Sequence, residues 1–156
     1  MMAYRITLPQ HAPDALSGEG ARLYGGRWNP KGWPLVYAAA TRSLAVLEML
    51  VQDQPLRNRY SLIPLYLPDD LPQEILTADK LPHDWRNVAA RPRLQAIGRA
   101  WLERAESAVL VAPSVVLPQE NNYLLNPRHR DFSRLTAGIM EILDTDSRLQ
   151  RTPPAS

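Results

Sequence analysis

The sequence contains no cysteine. Disulfides and thiolate metal sites are therefore excluded, and a reducing compartment suits the chain. Lysine is nearly absent as well: of 18 basic residues only Lys31 and Lys80 are lysines. The positive charge is thus almost wholly guanidinium, whose planar fork grips phosphate or carboxylate bidentately; a GC-rich genome produces the same bias. Against 16 acidic residues the net charge is only +2, a weak footprint for a nucleic-acid binder, so no direct nucleic-acid contact is expected. No apolar run approaches the ~20 residues that span a bilayer. The opening MMAYRITLPQ has no apolar block behind a basic start, so neither a membrane span nor a secretory signal is expected, and the protein reads as cytoplasmic. His11, His83 and His129 are scattered without metal-ligand spacing, so no metal is expected. The phosphate-binding G-x-x-x-x-G-K-[ST] loop, the dinucleotide fingerprint G-x-G-x-x-G and the nucleophile elbow G-x-S-x-G are all missing. P-loop, Rossmann and serine-hydrolase chemistries are set aside on that ground.

Proline, by contrast, is abundant: 15 residues spread from Pro9 to Pro154 in a chain of 156. Long helices are scarce under that constraint, and short strands and loops must dominate. The length suits one domain with a core of its own. The pattern predicts strands at Ala3–Ile6, Leu35–Ala39, Tyr60–Leu67 and Ala108–Ala112. Pro64 within the third implies an edge position or a bulge. A helix is predicted to Gln52 with Thr41 as its N-cap, because a hydroxyl ahead of an apolar run accepts the orphan N–H groups. A second helix is predicted over Arg91–Glu106, with Leu94, Ile97, Trp101 and Leu102 on one face. Residues 17–33 and 68–90 read as irregular, 118–133 as loop, and Thr136–Leu143 as strand or helix. Residues 1–150 form one domain in this reading, and 151–156 a disordered tail.

Four features carry chemistry. The segment Arg22-Leu-Tyr24-Gly-Gly-Arg27-Trp28-Asn29-Pro-Lys31-Gly32 gathers two arginines, a tyrosine, a tryptophan and three glycines within eleven residues. It suits a ligand with phosphates and an aromatic ring, or equally a tight turn whose Trp28 plugs the core. Glu48 stands in Leu44-Ala-Val-Leu-Glu48-Met-Leu-Val51, where every neighbour is apolar. Helical spacing places Leu44, Glu48 and Val51 on one face. A carboxylate there must be paired, with Arg22 and Arg27 as the natural partners, or must turn to solvent. Ser114 follows a buried-looking strand and either binds a ligand or caps a turn. Asn126, in Asn121-Asn122-Tyr123-Leu-Leu-Asn126-Pro127, binds a ligand or satisfies loop backbone.

Taken in order, these pieces resemble the RES domain, the toxin half of RES–Xre toxin–antitoxin pairs. The matching blocks are Arg22-Leu-Tyr24-Gly-Gly-Arg27-Trp28-Asn29-Pro30-x-Gly32, Val36-Tyr37-Ala38, Leu44-Ala-x-x-Glu48, Pro113-Ser114 and Asn122-Tyr123-Leu-Leu-Asn126-Pro127-x-His129-x-Asp131-Phe132. The resemblance implies an α+β fold, compact and mostly antiparallel with a few helices, similar to ADP-ribosyltransferases. It implies depletion of NAD by hydrolysis or phosphorolysis of the nicotinamide–ribose bond, with NAD as substrate and no resident cofactor. ADP-ribosylation of a protein target is the alternative; an RNA-acting toxin or a non-catalytic interaction module comes after it. The family's Arg, Glu and Ser correspond to Arg27, Glu48 and Ser114, with Arg22 as the other choice of arginine. Arg22 and Arg27 would hold the pyrophosphate, Tyr24 and Tyr37 would flank the nicotinamide, and Ser114 and Asn126 would orient ribose or amide groups. The implied partner is an Xre-type antitoxin that covers the active site and assembles with the toxin into an oligomer.

Overall fold

The computed structural model describes residues 1–150; the tail read at 151–156 lies outside the described residues. Elements form where apolar residues recur at the matching period. The strands are β1 (Met2–Thr7), β2 (Val36–Ala39), β3 (Arg59–Tyr66), β4 (Gln73–Ile75), β5 (Val109–Pro113), β6 (Asn121–Leu125), β7 (Thr136–Ala137) and β8 (Glu141–Asp144). The helices are α1 (Glu19–Tyr24), α2 (Arg42–Gln52) and α3 (Arg91–Arg104). Thr41 caps α2 as its position implies, its hydroxyl accepting the Leu44 N–H at 3.0 Å.

All eight strands join one sheet in the order β4-β5-β6-β2-β1-β3-β7, with β8 also on β3. Among the described residues only β4–β5 is parallel, so the sheet is mostly antiparallel, in agreement with the expected α+β class. Alternation builds a core on each face. Val36, Ile63, Leu65, Val109, Val111 and Leu125 bury one side. Leu110, Ala112 and Leu124 face the other, beneath Trp28 and the Leu94–Trp101–Leu102 face of α3. Helix α2 covers the remainder of that side through Leu44 and Ala45 over Ala39.

Several local readings are corrected. Residues 17–33 are not wholly irregular: α1 lies within them, and the glycines mark its ends, Gly18 at φ 69° and Gly25 at φ 72°. Residues 118–133 contain β6, which runs in the sheet interior between β2 and β5. Its two asparagines lower strand propensity, but ladder pairing on both sides outweighs it. The irregular stretch 68–90 includes β4, a three-residue strand too short to show a period. Pro64 is not on an edge, because β3 has β1 on one side and β7 and β8 on the other. Proline is accommodated there because residues 138–140 interrupt the outer partner between β7 and β8. The Pro64 carbonyl still accepts the Gly138 N–H at 2.7 Å. Val51 does not share the buried face of α2; it is 60% exposed, whereas Leu44, Ala45 and Met49 are buried.

Helix α3 touches the glycine-rich loop at Gly98. A Cβ at Gly98 would collide with the Trp28 carbonyl oxygen and lie 2.8 Å from its carbon. Gly98→Ala therefore loses stability by about 1–3 kcal/mol from overpacking, although alanine gains about 1 kcal/mol of helix propensity over glycine. Gly20→Ala, whose Cβ meets nothing within 4 Å, serves as the opposite case. Urea unfolding checks this: the Gly98→Ala midpoint falls while that of Gly20→Ala stays level or rises.

Candidate active site

The sheet and α2 converge on Glu48. Asn122 pairs with Ala39 of β2 on one side and Ala112 of β5 on the other, and Ser114 follows β5 directly. Both strand ends therefore meet the helix that carries Glu48. One carboxylate oxygen, Oε1, accepts the Ser114 hydroxyl at 2.7 Å and the Asn122 amide at 2.8 Å. The other, Oε2, has no hydrogen bond to the described residues. Ser114 is fully buried, and its Oγ accepts the N–H groups of Val116 and Leu117, each at 3.1 Å. Those two donors occupy the oxygen and leave the single hydroxyl proton for the carboxylate. Ser114 thus caps a turn and aims Glu48, and its buried oxygen is closed to a ligand.

Glu48 borders a cleft of about 590 Å³ that also exposes Arg5, Arg27, Arg91, Tyr24 and Gly26. Arg27 forms no ion pair with Glu48, and its Nη1 is buried without a partner among the described residues. Burial chiefly lowers its pKa, and Arg91 adds to that, while Glu48 opposes both. Arg27 nevertheless remains a cation, since guanidinium titrates far above neutrality. Three guanidinium groups and one half-free carboxylate suit a ligand with anionic and developing cationic parts.

The loop of residues 25–33 is held by side chains. The Tyr37 hydroxyl donates to Asn29 Oδ1 at 2.5 Å and accepts the Trp28 N–H at 3.1 Å. Burial pushes the Tyr37 phenol well above the ordinary tyrosine range, so it works as a neutral hydroxyl. The Asn29 amide donates to the carbonyls of Ala21 at 2.8 Å and Trp33 at 3.0 Å. Gly26 passes so close that a Cβ there would strike the Tyr37 hydroxyl, which is why glycine is required at this position.

The structure brings Glu48, Arg27, Ser114 and Tyr37 together and separates the other candidates. Arg22 is paired with Glu19 one turn away on α1 and does not border the cleft, so it is no partner for Glu48. Tyr24 stands on the rim, 77% exposed. Asn126 is buried away from the cleft. Its Oδ1 accepts the Arg128 N–H at 3.0 Å, which gives it the loop-satisfying role. Arg5, Arg91 and Asn122 also border the cleft, beyond the residues that the sequence singles out. Asn122 stood in the Asn-Tyr-Leu-Leu-Asn-Pro block, and Arg5 was a lone charge in a strand; Arg91 carried no signal. Among the described residues, no three His, Asp or Glu side chains cluster to hold a metal. No helix among them is long and apolar enough to cross a membrane.

Comparison with known proteins finds relatives over most of the chain. The RES domain family matches residues 2–149. A protein of Photorhabdus laumondii named Toxin Res is 40% identical over 152 residues, 96% of this chain and 97% of its own length. The Prs ADP-ribosylating toxin of a Sphingobium species is 40% identical over 130 residues, 80% of each chain. The NAD(+) phosphorylase MbcT of Mycobacterium tuberculosis is 51% identical over only 37 residues, 23% of this chain and 20% of that protein.

The bonding of Ser114 predicts a stability cost on its removal. Ser114→Ala leaves the Val116 and Leu117 N–H groups without their acceptor, a loss of about 1–3 kcal/mol. Chemical denaturation of the purified variant reads this directly; a midpoint equal to that of the unaltered chain would contradict the capping role.

Proposed function

This chain belongs to the RES domain family, and we propose that it is the toxin of a toxin–antitoxin pair, an enzyme that breaks the nicotinamide–ribose bond of NAD. The observation that carries this reading is Glu48: a carboxylate held at one oxygen by Ser114 and Asn122, with the other oxygen unengaged beside an arginine-lined cleft. The relatives agree in direction, since one is named an NAD(+) phosphorylase and another an ADP-ribosylating toxin.

The chemistry needs little more than this placement. Nicotinamide in NAD is a cationic pyridinium and leaves as a neutral ring, taking the electrons of the C–N bond, so no acid must protonate it. Positive charge then grows on the ribose. A carboxylate fixed before the reaction stabilises that charge without reorganising, as in glycoside cleavage. The two donors to Oε1 hold Glu48 in one rotamer. Arg27 and Arg91 carry the charge to hold the pyrophosphate, and the Arg27 fork suits a bidentate grip. Water attacking the ribose carbon and losing its proton yields ADP-ribose; phosphate in its place yields ADP-ribose 1-phosphate. NAD is the substrate, and the scheme calls for no resident cofactor.

Transfer of ADP-ribose to a protein is the second reading, favoured by the Sphingobium relative's name. The same cleft serves it with an acceptor side chain in place of water. The proposed partner is an antitoxin of Xre type that occludes the cleft and assembles with this chain into an oligomer. The proposed compartment is the cytoplasm, where NAD is available.

Incubating the purified chain with labelled NAD, with and without phosphate, tests the proposal. Free ADP-ribose marks hydrolysis, ADP-ribose 1-phosphate marks phosphorolysis, and label retained on protein marks transfer. Intact NAD under all conditions would refute all three. Glu48→Gln should lower kcat by roughly 10²–10³-fold, the scale of losing one preorganised electrostatic contact, with circular dichroism unchanged. Arg27→Lys should raise KM, since a point charge does not replace a fork; equal KM values would remove Arg27 from phosphate binding.

A further inference from the structure

Arg27 stands behind two glycines, Gly25 and Gly26. Glycine lacks the Cβ that restricts backbone rotation, so such a pair by itself leaves the next side chain without a fixed direction. The Arg27 side chain is not tied down at its far end either: its buried Nη1 has no partner among the described residues. Its direction is therefore set by the peptides on either side of it.

Three successive peptides of this loop can be taken in turn. The unit 25–26 is held through the Gly26 N–H, which donates to the Asn29 carbonyl at 2.9 Å. The unit 27–28 is held through the Trp28 N–H, which donates to the Tyr37 hydroxyl at 3.1 Å. The unit between them, 26–27, carries Arg27 and is held from outside the loop: the Gly26 carbonyl accepts the side-chain amide of Gln95 at 2.8 Å. A planar trans peptide turns its carbonyl and the next N–H as one body, so this bond fixes the whole unit. Gln95 comes from α3, where spacings of four and three put Arg91, Gln95 and Gly98 on one face. Gly98 admits the Trp28 carbonyl, and Arg91 borders the cleft with Arg27. Gln95 itself is half-buried and does not border the cleft. The like charge of Arg91 repels Arg27, so a loosened 26–27 peptide would let the two guanidinium groups part.

Resting on the reading that Arg27 grips the pyrophosphate, we infer that Gln95 is a positioning residue: it touches no substrate, and it locks the Gly26–Arg27 peptide so that the Arg27 fork converges with Arg91 on one anionic ligand. The preorganisation that two glycines forfeit is thus supplied by one amide from the neighbouring helix.

Gln95→Met keeps the length of the side chain and removes the donor. NAD cleavage, calorimetric binding of ADP-ribose and ¹⁵N relaxation at the Arg27 backbone N–H and Nε–H are measured on the same proteins. KM for NAD and Kd for ADP-ribose should each rise roughly 3–10-fold, the scale of one hydrogen bond. The value of kcat should stay level, because Glu48, Ser114 and Asn122 are untouched, and motion at Arg27 should grow. In an Arg27→Lys background, Gln95→Met should cost little further affinity, whereas a merely structural role would add its full effect there. Unchanged KM and Kd, a fall in kcat alone, additive losses in the double variant, or unchanged motion at Arg27 would each overturn the assignment. If NAD is cleaved under those outcomes, the role of Gln95 alone fails. If the unaltered chain neither cleaves NAD nor binds ADP-ribose, the NAD reading fails, and the relaxation at Arg27 decides by itself whether Gln95 holds that residue in place.

Discussion

The hydrogen bonds from Ser114 and Asn122 to one oxygen of Glu48 join helix α2 to the ends of β5 and β6. Ser114 is buried and already accepts two backbone N–H groups, so its proton has one direction left. The carboxylate is thereby oriented by the same turn that ends a strand. Fold stability and site geometry are coupled at this point, because loosening the turn releases the carboxylate proposed to do the chemistry. A carboxylate this close to apolar helix neighbours is tolerated because charged acceptors form strong hydrogen bonds with well-placed neutral donors.

Around that anchor the cleft is charged in an uneven way. Arg5 and Arg27 each keep one buried nitrogen unpartnered among the described residues, while Arg22 spends its charge on Glu19 at the surface. Uncompensated guanidinium is costly in the free protein, and a bound anion relieves that cost. The glycine-rich loop brings Arg27 in by steric means: Gly26 against Tyr37 and Gly98 against the Trp28 carbonyl leave no room for a Cβ. Stability given up at such contacts is common where a backbone must approach a ligand or another chain segment closely.

How much was legible in the sequence depends on how local each signal was. Thr41 as a cap, the Leu94–Trp101–Leu102 face of α3 and the β5 run each depend on a few neighbouring residues, and the structure agrees with all three. Strand β6 was missed because its asparagines, Asn121 and Asn122, look like loop residues until β2 and β5 pair on either side of them. Pro64 was misplaced because nothing near it reveals the interruption between β7 and β8. Arg22 and Arg27 were indistinguishable by composition; only the ion pair within α1 separates them.

By itself, the sequence determined the family blocks and their order, the absence of cysteine chemistry, the antiparallel α+β class and the singular position of Glu48 among apolar residues. The fold class came through the family resemblance that those blocks carry, and the rest from composition, short-range periodicity and motif spacing, none of which needs coordinates. The tertiary structure alone decided that Glu48 leans on Ser114 and Asn122 and not on arginine, and that Asn126 serves a turn. The Glu48 contacts join residues 66 and 74 positions apart, and long-range register is set by the packing of the whole chain rather than by any local pattern.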